Sequence, residues 1–165
     1  ILRGNKDEGW TIAEATIILF PKSDVMIADT MFEALWKLGK KRQAIQIYRK
    51  VGRLFWHAEA VGRYYERQGQ MSKAVQEYEY LMNEYSRMSK KGILPLPPDP
   101  RELFVLGQWY ASRDKLKSRK YLELYLSSEN YGIKDSACYL RHKNAARRIL
   151  DRLERPRDVV KDLRR

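Results

Sequence analysis

Two groups of residues in the sequence have the types and spacing that chemistry could use. His57 and Glu59 match the H-x-E part of the zinc deaminase signature, in which the histidine binds zinc and the glutamate moves protons. That signature also requires a P-C-x-x-C segment, and the chain has a single cysteine, Cys138. Asp135, Cys138 and His142 are spaced three and four apart, so on one helix they would share a face and offer a thiol–imidazole pair or two metal ligands.

Neither group completes a catalytic site. One helix cannot close a tetrahedral zinc site, and a free cysteine is most often a small buried apolar residue. The sequence shows no glycine-rich phosphate loop, no paired-histidine helix motif and no nucleophile elbow. We therefore predict that the protein is not an enzyme and has no metal or cofactor site. The role of the Asp135, Cys138 and His142 face stays open.

The composition describes a chain that can fold around a core. It has 165 residues, of which 44% are hydrophobic and 33% charged, enough for one compact domain or a short repeat array. No apolar run approaches the roughly 20 residues needed to cross a bilayer. The single cysteine favours a reducing compartment, so we expect a cytoplasmic protein. Because the sequence opens at Ile1 rather than Met, we interpret it as a fragment of a longer chain.

Positive charge is concentrated at the C-terminus. The formal net charge is +12, and residues 134–165 alone hold eleven Lys or Arg and five Asp or Glu. We therefore separate residues 128–165 as a basic helix and tail. A basic segment of this kind suits acidic partners or nucleic acid, although a solvated helix face is the simpler interpretation. The candidate contacts to phosphate or acidic groups are Arg141, Lys143, Arg147, Arg148 and Arg152.

Apolar residues recur at intervals of three and four along most of the chain, which predicts an all-α protein. Asp99, Pro100 and Glu102 mark one helix start, where Asp99 is the N-cap and Glu102 completes a capping box. The predicted helices span 10–20, 24–38, 41–51, 55–68, 72–89, 100–112, 116–127 and 135–154.

The helices contain an internal repeat. The middle copy has Ala58, Val61, Gly62 and Tyr65 before a turn at Gly69, then Ala74 and Tyr78. Similar intervals recur upstream at Ala28, Phe32, Leu35, Gly39, Ala44 and Tyr48, and downstream at Leu103, Leu106, Gly107, Tyr110, Ser118 and Leu122. The order resembles the tetratricopeptide repeat, W-x2-L-G-x2-Y followed by A-x3-F. About three degenerate repeats cover residues 24–127, with a proline-rich loop at 90–99. The N-terminal helix in residues 1–23 is consistent with part of a preceding repeat.

The resemblance implies a right-handed stack of antiparallel helix hairpins, a tetratricopeptide-like α-solenoid. Two helices of a hairpin approach closely where small residues meet, so we expect Gly62 and Ala74 to face each other and Tyr65 and Tyr78 to fill the space beside them.

Such arrays generally bind a peptide or partner segment on their concave face, to which the first helix of each hairpin contributes. The predicted groove residues are Asp29, Glu33, Trp36, Lys37, Trp56, Glu59, Arg63, Glu66, Arg67, Arg101, Phe104 and Gln108. We expect Arg63 and Arg67, one turn apart, to hold an acidic side chain, and Trp36, Trp56 and Phe104 to act as apolar anchors. The alternative is that Arg63 and Arg67 pair with Glu59 and Glu66 as exposed salt bridges.

The predicted function is a protein–protein interaction scaffold that binds a protein or peptide partner and is open to self-association through its exposed terminal repeats. The alternative is a nucleic-acid-associated or transcription-regulatory module that uses the basic C-terminal region. In its favour, "GQMSKAVQEYEYLMNEYSRMSKKG" and the proline loop after it resemble the helical activator domains of some bacterial transcription regulators.

Overall fold

The computed structural model describes residues 25–93, 99–127 and 137–154, with the side chains of 137–141 excepted. All regular structure in these ranges is α-helical, as predicted. The described helices are α1 (Val25–Lys37), α2 (Lys41–Lys50), α3 (Phe55–Arg67), α4 (Met71–Lys90), α5 (Pro100–Tyr110), α6 (Lys115–Ser127) and α7 (Ala137–Glu154).

Each of these helices begins and ends within two residues of its predicted bounds. The helix predicted at 10–20 and most of the proline-rich loop lie outside the described residues. None of the described helices combines the length and apolar character that crossing a membrane requires.

Consecutive helices pair as hairpins: α1 with α2, α3 with α4, and α5 with α6. The first two hairpins share one turn geometry. Gly39 and Gly69 have φ angles of 77° and 70°, a left-handed conformation that glycine adopts without strain. The amides of Lys40 and Gln70, one residue further on, donate to the carbonyls of Leu35 and Tyr65. This is the Schellman arrangement that ends a helix sharply and reverses the chain.

The third hairpin turns without glycine. Residues 111–113 form the turn, and the Asp114 carboxylate accepts from the amides of Leu116 and Lys117, which caps the start of α6.

Glycine allows close helix contact within two hairpins. A Cβ on Gly62 of α3 would lie 2.4 Å from the Tyr78 ring of α4, and one on Gly107 of α5 would lie 2.5 Å from the Leu122 side chain of α6. The Ser118 hydroxyl also donates to the Gly107 carbonyl at 2.7 Å. Gly62 was expected to face Ala74, but its nearest side chain is Tyr78. The bulky residue therefore covers the glycine directly.

Polar contacts join the hairpins. The Tyr48 hydroxyl of α2 donates to Glu77 Oε2 of α4 at 2.6 Å, between two side chains that are both buried. The Tyr80 hydroxyl donates to the Arg53 carbonyl at 2.6 Å. Arg101 of α5 reaches back to Glu66 of α3 at 2.6 Å. Together with one continuous apolar core, these contacts link the described helices in series.

The start of α5 departs from prediction in one respect. Asp99 caps the helix by accepting from the Arg101 amide at 2.8 Å, as expected. Glu102 does not complete a capping box, because its Oε1 accepts from Arg63 and its Oε2 has no hydrogen-bond partner.

Candidate functional site

A surface pocket of about 320 Å³ lies between α1 and α3, the first helices of two successive hairpins. It brings together five predicted groove residues, namely Glu33, Trp36 and Lys37 of α1 with Trp56 and Glu59 of α3. Phe32, His57 and Ala60 complete its lining. Residues at helical spacings of three and four therefore converge from two helices, as the periodicity predicted.

Aromatic rings form the wall of the pocket. Phe32 is buried, and its ring stacks on Trp36 with centroids 5.0 Å apart and on His57 at 3.9 Å. The Lys41 ammonium lies over the Trp36 ring, 4.1 Å from its centroid. Trp56 differs from these rings because it is 48% exposed. It is therefore the most exposed of the aromatic side chains that line this pocket.

Asp29 holds Trp56 and His57 in place. Its Oδ1 accepts from the Trp56 indole nitrogen at 2.7 Å and lies 2.6 Å from His57 Nε2. Because an ionised carboxylate only accepts, Nε2 must carry the hydrogen in this contact. Burial lowers the pKa of His57, and the hydrogen bond and charge of Asp29 oppose that shift. Asp29 is not itself among the lining residues, and it positions two side chains that are.

Arg63 is already bound within the protein. Its Nη2 lies 2.9 Å from Glu59, 2.5 Å from Asp99 and 3.1 Å from Glu102. The prediction that Arg63 and Arg67 together hold a partner's acidic side chain is therefore not supported for Arg63. Its expected alternative pairing with Glu59 is present, and the other two acidic partners come from the last residue of the proline-rich loop and from the first turn of α5. Arg67 is exposed at the end of α3.

The cluster formed by Glu59, Arg63, Asp99 and Glu102, here called the Arg63 cluster, has more negative than positive side chains. The pKa of Glu102 is raised to about 8, first by burial and then by the charges of the Asp99 and Glu59 carboxylates, while Arg63 opposes the shift. Carboxylate oxygens of Glu59, Asp99 and Glu102 lie within 4.8 Å of one another, as metal ligands can. Arg63 Nη2 contacts all three carboxylates and provides the positive charge that a metal would bring.

The groove residues predicted in the third hairpin do not join the pocket lining. Phe104 is only 6% exposed, and its ring packs against Tyr125 at 5.5 Å and stacks on His142 at 4.4 Å. Its interpretation as an exposed anchor is wrong, because α7 covers that side of α5. Gln108 is exposed.

Glu66, the remaining predicted groove residue of α3, has partners inside the protein. Its carboxylate accepts from Arg101 at 2.6 Å and from the Tyr78 hydroxyl at 2.9 Å, so it joins α3 to both α4 and α5. The predicted pairing of Glu66 with an arginine of its own helix is replaced by these contacts to other helices.

The predicted phosphate contacts lie on α7. Arg147, Arg148 and Arg152 are exposed, and Lys143 is half-buried. The Arg141 side chain lies outside the described residues, as do Asp135 and the Cys138 side chain, so the predicted face of Asp135, Cys138 and His142 stays a prediction. Adjacent positions such as 147 and 148 point about 100° apart on a helix, so the exposed arginines do not form one stripe.

Sequence reasoning missed the contribution of Phe32 and His57 to the pocket. From the sequence, Phe32 was interpreted as a core residue of the repeat, and His57 was considered only as part of a zinc-binding signature. The signal that could have identified His57 is its position directly after the predicted groove residue Trp56, one helical turn before Ala60, a lining residue that was not predicted either. Comparisons with known protein families, curated proteins and solved structures returned no match for this chain.

Proposed function

We propose that this protein is a protein–protein interaction module in which a tetratricopeptide-like stack of helix hairpins presents the α1–α3 face to a partner segment. The recurring elements support such an array. Two hairpins reverse through the same glycine turn, and two bring their helices together where a glycine is covered by a bulky side chain. A right-handed solenoid is the arrangement that we propose for these units.

The pocket between α1 and α3 is the observation that carries the proposal. Its volume of about 320 Å³ accommodates one or two side chains of a partner. Trp56 provides an exposed aromatic surface, and tryptophan is among the residues that dominate binding energy in interfaces. Glu33 and Lys37 form an exposed ion pair at 3.0 Å on the rim. Because such a pair contributes little to stability, either side chain can leave it to bind a polar group of a ligand.

The partner segment is expected to insert an apolar or aromatic side chain beside Trp56. Charge is balanced at this rim by the Glu33–Lys37 pair, and Arg63 is neutralised by its own carboxylates. The pocket therefore selects by shape and apolar contact more than by charge.

Crosslinking affinity capture followed by mass spectrometry identifies the partner, and measured dissociation constants then test the site. Trp56→Ala should weaken binding of the captured partner about tenfold to a hundredfold, because it removes the exposed ring. Trp56→Phe is the matched control, since it keeps one aromatic ring but loses the indole hydrogen bond to Asp29 and part of the ring surface. It should retain most of the affinity. A Trp56→Ala protein that stays folded and binds with native affinity contradicts this site.

A further inference from the structure

The outer face of α6 has two exposed leucines that the core does not use. Leu116 is 82% exposed and Leu124 is 46% exposed. Leu124 lies eight positions after Leu116, which places it about 12 Å further along the helix axis and about 80° around it. The opposite side of α6 is buried through Ser118, Tyr121, Leu122 and Tyr125. The two leucines therefore contribute little to folding and leave apolar surface in water.

These leucines belong to a continuous surface feature. A shallow groove of about 460 Å³ follows this side of the helix, here called the α6 groove. The described residues that line it all belong to α6 and are Leu116, Arg119, Lys120, Glu123, Leu124 and Ser127. Single exposed leucines are ordinary on protein surfaces, but two that share one groove and alternate with charged residues resemble an interface with apolar anchors and a polar rim.

The charge around the α6 groove is positive. Residues 115–120 of the helix contain four basic side chains, and the lining adds one acidic residue, Glu123. Lys117 is bound to Glu79 of α4 at 2.8 Å. The Arg119 guanidinium lies 3.7 Å from the Glu154 carboxylate. Both side chains are exposed, so this ion pair contributes little to stability. Lys120 has its ammonium 5.8 Å from the centroid of the Tyr121 ring, a long contact, so both Arg119 and Lys120 can turn to an acidic partner at the rim.

The hydrogen bonding of the α6 backbone favours one secondary structure for the partner segment. The amides and carbonyls inside a helix are already bonded to one another, so this surface offers no backbone groups to an extended peptide. A helix satisfies its own backbone hydrogen bonds, so it can dock here without losing any of them. An amphipathic helix presents apolar side chains at intervals of three, four and seven residues, which matches two anchors about 12 Å apart.

We propose that the α6 groove is a docking site for an acidic amphipathic helix of a partner protein. Leu116 and Leu124 contact the apolar stripe of that helix, and Arg119 and Lys120 pair with carboxylates beside the stripe. The site lies on a different helix from the α1–α3 pocket and does not depend on it. A nucleic acid duplex requires only the positive charges and leaves the leucines unused.

The test uses a fluorescein-labelled helical peptide of about 18 residues, in which leucines at intervals of three and four form a stripe flanked by glutamates. Fluorescence anisotropy at about 0.15 M salt should show binding to the full chain. Leu116→Ala with Leu124→Ala should weaken it at least about tenfold. Leu38→Ala is the matched control, because Leu38 is 61% exposed on another hairpin and should leave binding unchanged.

Further probes separate the possible occupants. Lys120→Glu should also weaken binding of the peptide, and a peptide with serine in place of its leucines should bind poorly. Equal binding of the serine peptide, or no loss of binding in the leucine variant, overturns the proposal. The proposal is likewise overturned if the protein binds phosphatidylserine vesicles in a leucine-dependent way but does not bind the peptide. Binding of a DNA duplex by a protein that does not bind the peptide also overturns it. Circular dichroism melting confirms that the variants remain folded.

Discussion

Glu102 is the residue whose ionisation should set much of the pH dependence of stability. Its pKa is raised from 4.5 to about 8, so between these values the folded protein keeps a proton that the unfolded chain releases. The stabilisation is complete below about pH 4.5 and is lost as the pH rises through about 8. Above that range the folded protein contains a buried carboxylate whose Oε2 has no hydrogen-bond partner.

Glu102→Gln should flatten this dependence, because the amide keeps an oxygen for Arg63 and cannot ionise. We expect the free energy of unfolding of Glu102→Gln, measured in urea, to fall less than that of the unchanged protein between about pH 5 and about pH 9. Glu123→Gln, on the exposed face of α6, serves as the control and should follow the unchanged protein. Parallel curves for all three proteins would show that Glu102 is ionised in the folded state throughout.

At the scale of the helix pair, the contact of Gly62 with Tyr78 fixes how closely α3 and α4 approach. Alanine favours a helix over glycine by about 1 kcal/mol, but here its Cβ would meet a fully buried ring at 2.4 Å. The ring is also tied to Glu66 through its hydroxyl at 2.9 Å. We therefore expect Gly62→Ala to destabilise the protein by about 1–3 kcal/mol in urea unfolding.

Asn83→Ala is the control for Gly62→Ala, because Asn83 is exposed on α4 and gains helix propensity without a clash. It should be neutral or slightly stabilising. If Gly62→Ala matches Asn83→Ala, the Tyr78 ring can move aside and the helix contact is not fixed by the glycine.

The helices also show which features of the fold and the pocket can be predicted from the sequence. Helix bounds were predicted closely because apolar periodicity and turn residues act within a few positions of the chain. The predicted capping box does not form, because the Glu102 carboxyl group accepts a hydrogen bond from Arg63, which lies 39 residues away in the sequence. Phe104 was misjudged for a similar reason, since only the placement of α7 decides that its ring is covered. Helical spacing does determine which side chains share a face, so most of the pocket rim could be predicted.

At the scale of the whole molecule, the Arg63 cluster joins the second hairpin to the third. Arg63 is about one-third exposed, whereas Glu102 is fully buried. Removing the arginine leaves three acidic side chains facing one another, one of them in the interior. We expect Arg63→Met to destabilise the protein by about 1–3 kcal/mol, a range reduced from that of a fully buried pair because water reaches the arginine.

Arg87→Met is the matched control for Arg63→Met. Arg87 pairs with Glu84 at 2.6 Å within one helix and is 57% exposed, so its loss should leave the free energy of unfolding nearly unchanged. Equal effects of the two substitutions would mean that the cluster does not hold the hairpins together. Reversing Arg63 to glutamate would add a fourth carboxylate, so that change perturbs folding as well as any binding.

The pocket between α1 and α3 couples ligand binding to local unfolding of the first hairpin. Its walls come from two different hairpins, so any molecule held there contacts both of them. The binding free energy of that molecule is then added to the work of separating the hairpins. Occupancy therefore slows amide hydrogen exchange in α1 and α2 even though α2 contributes no residue to the pocket lining.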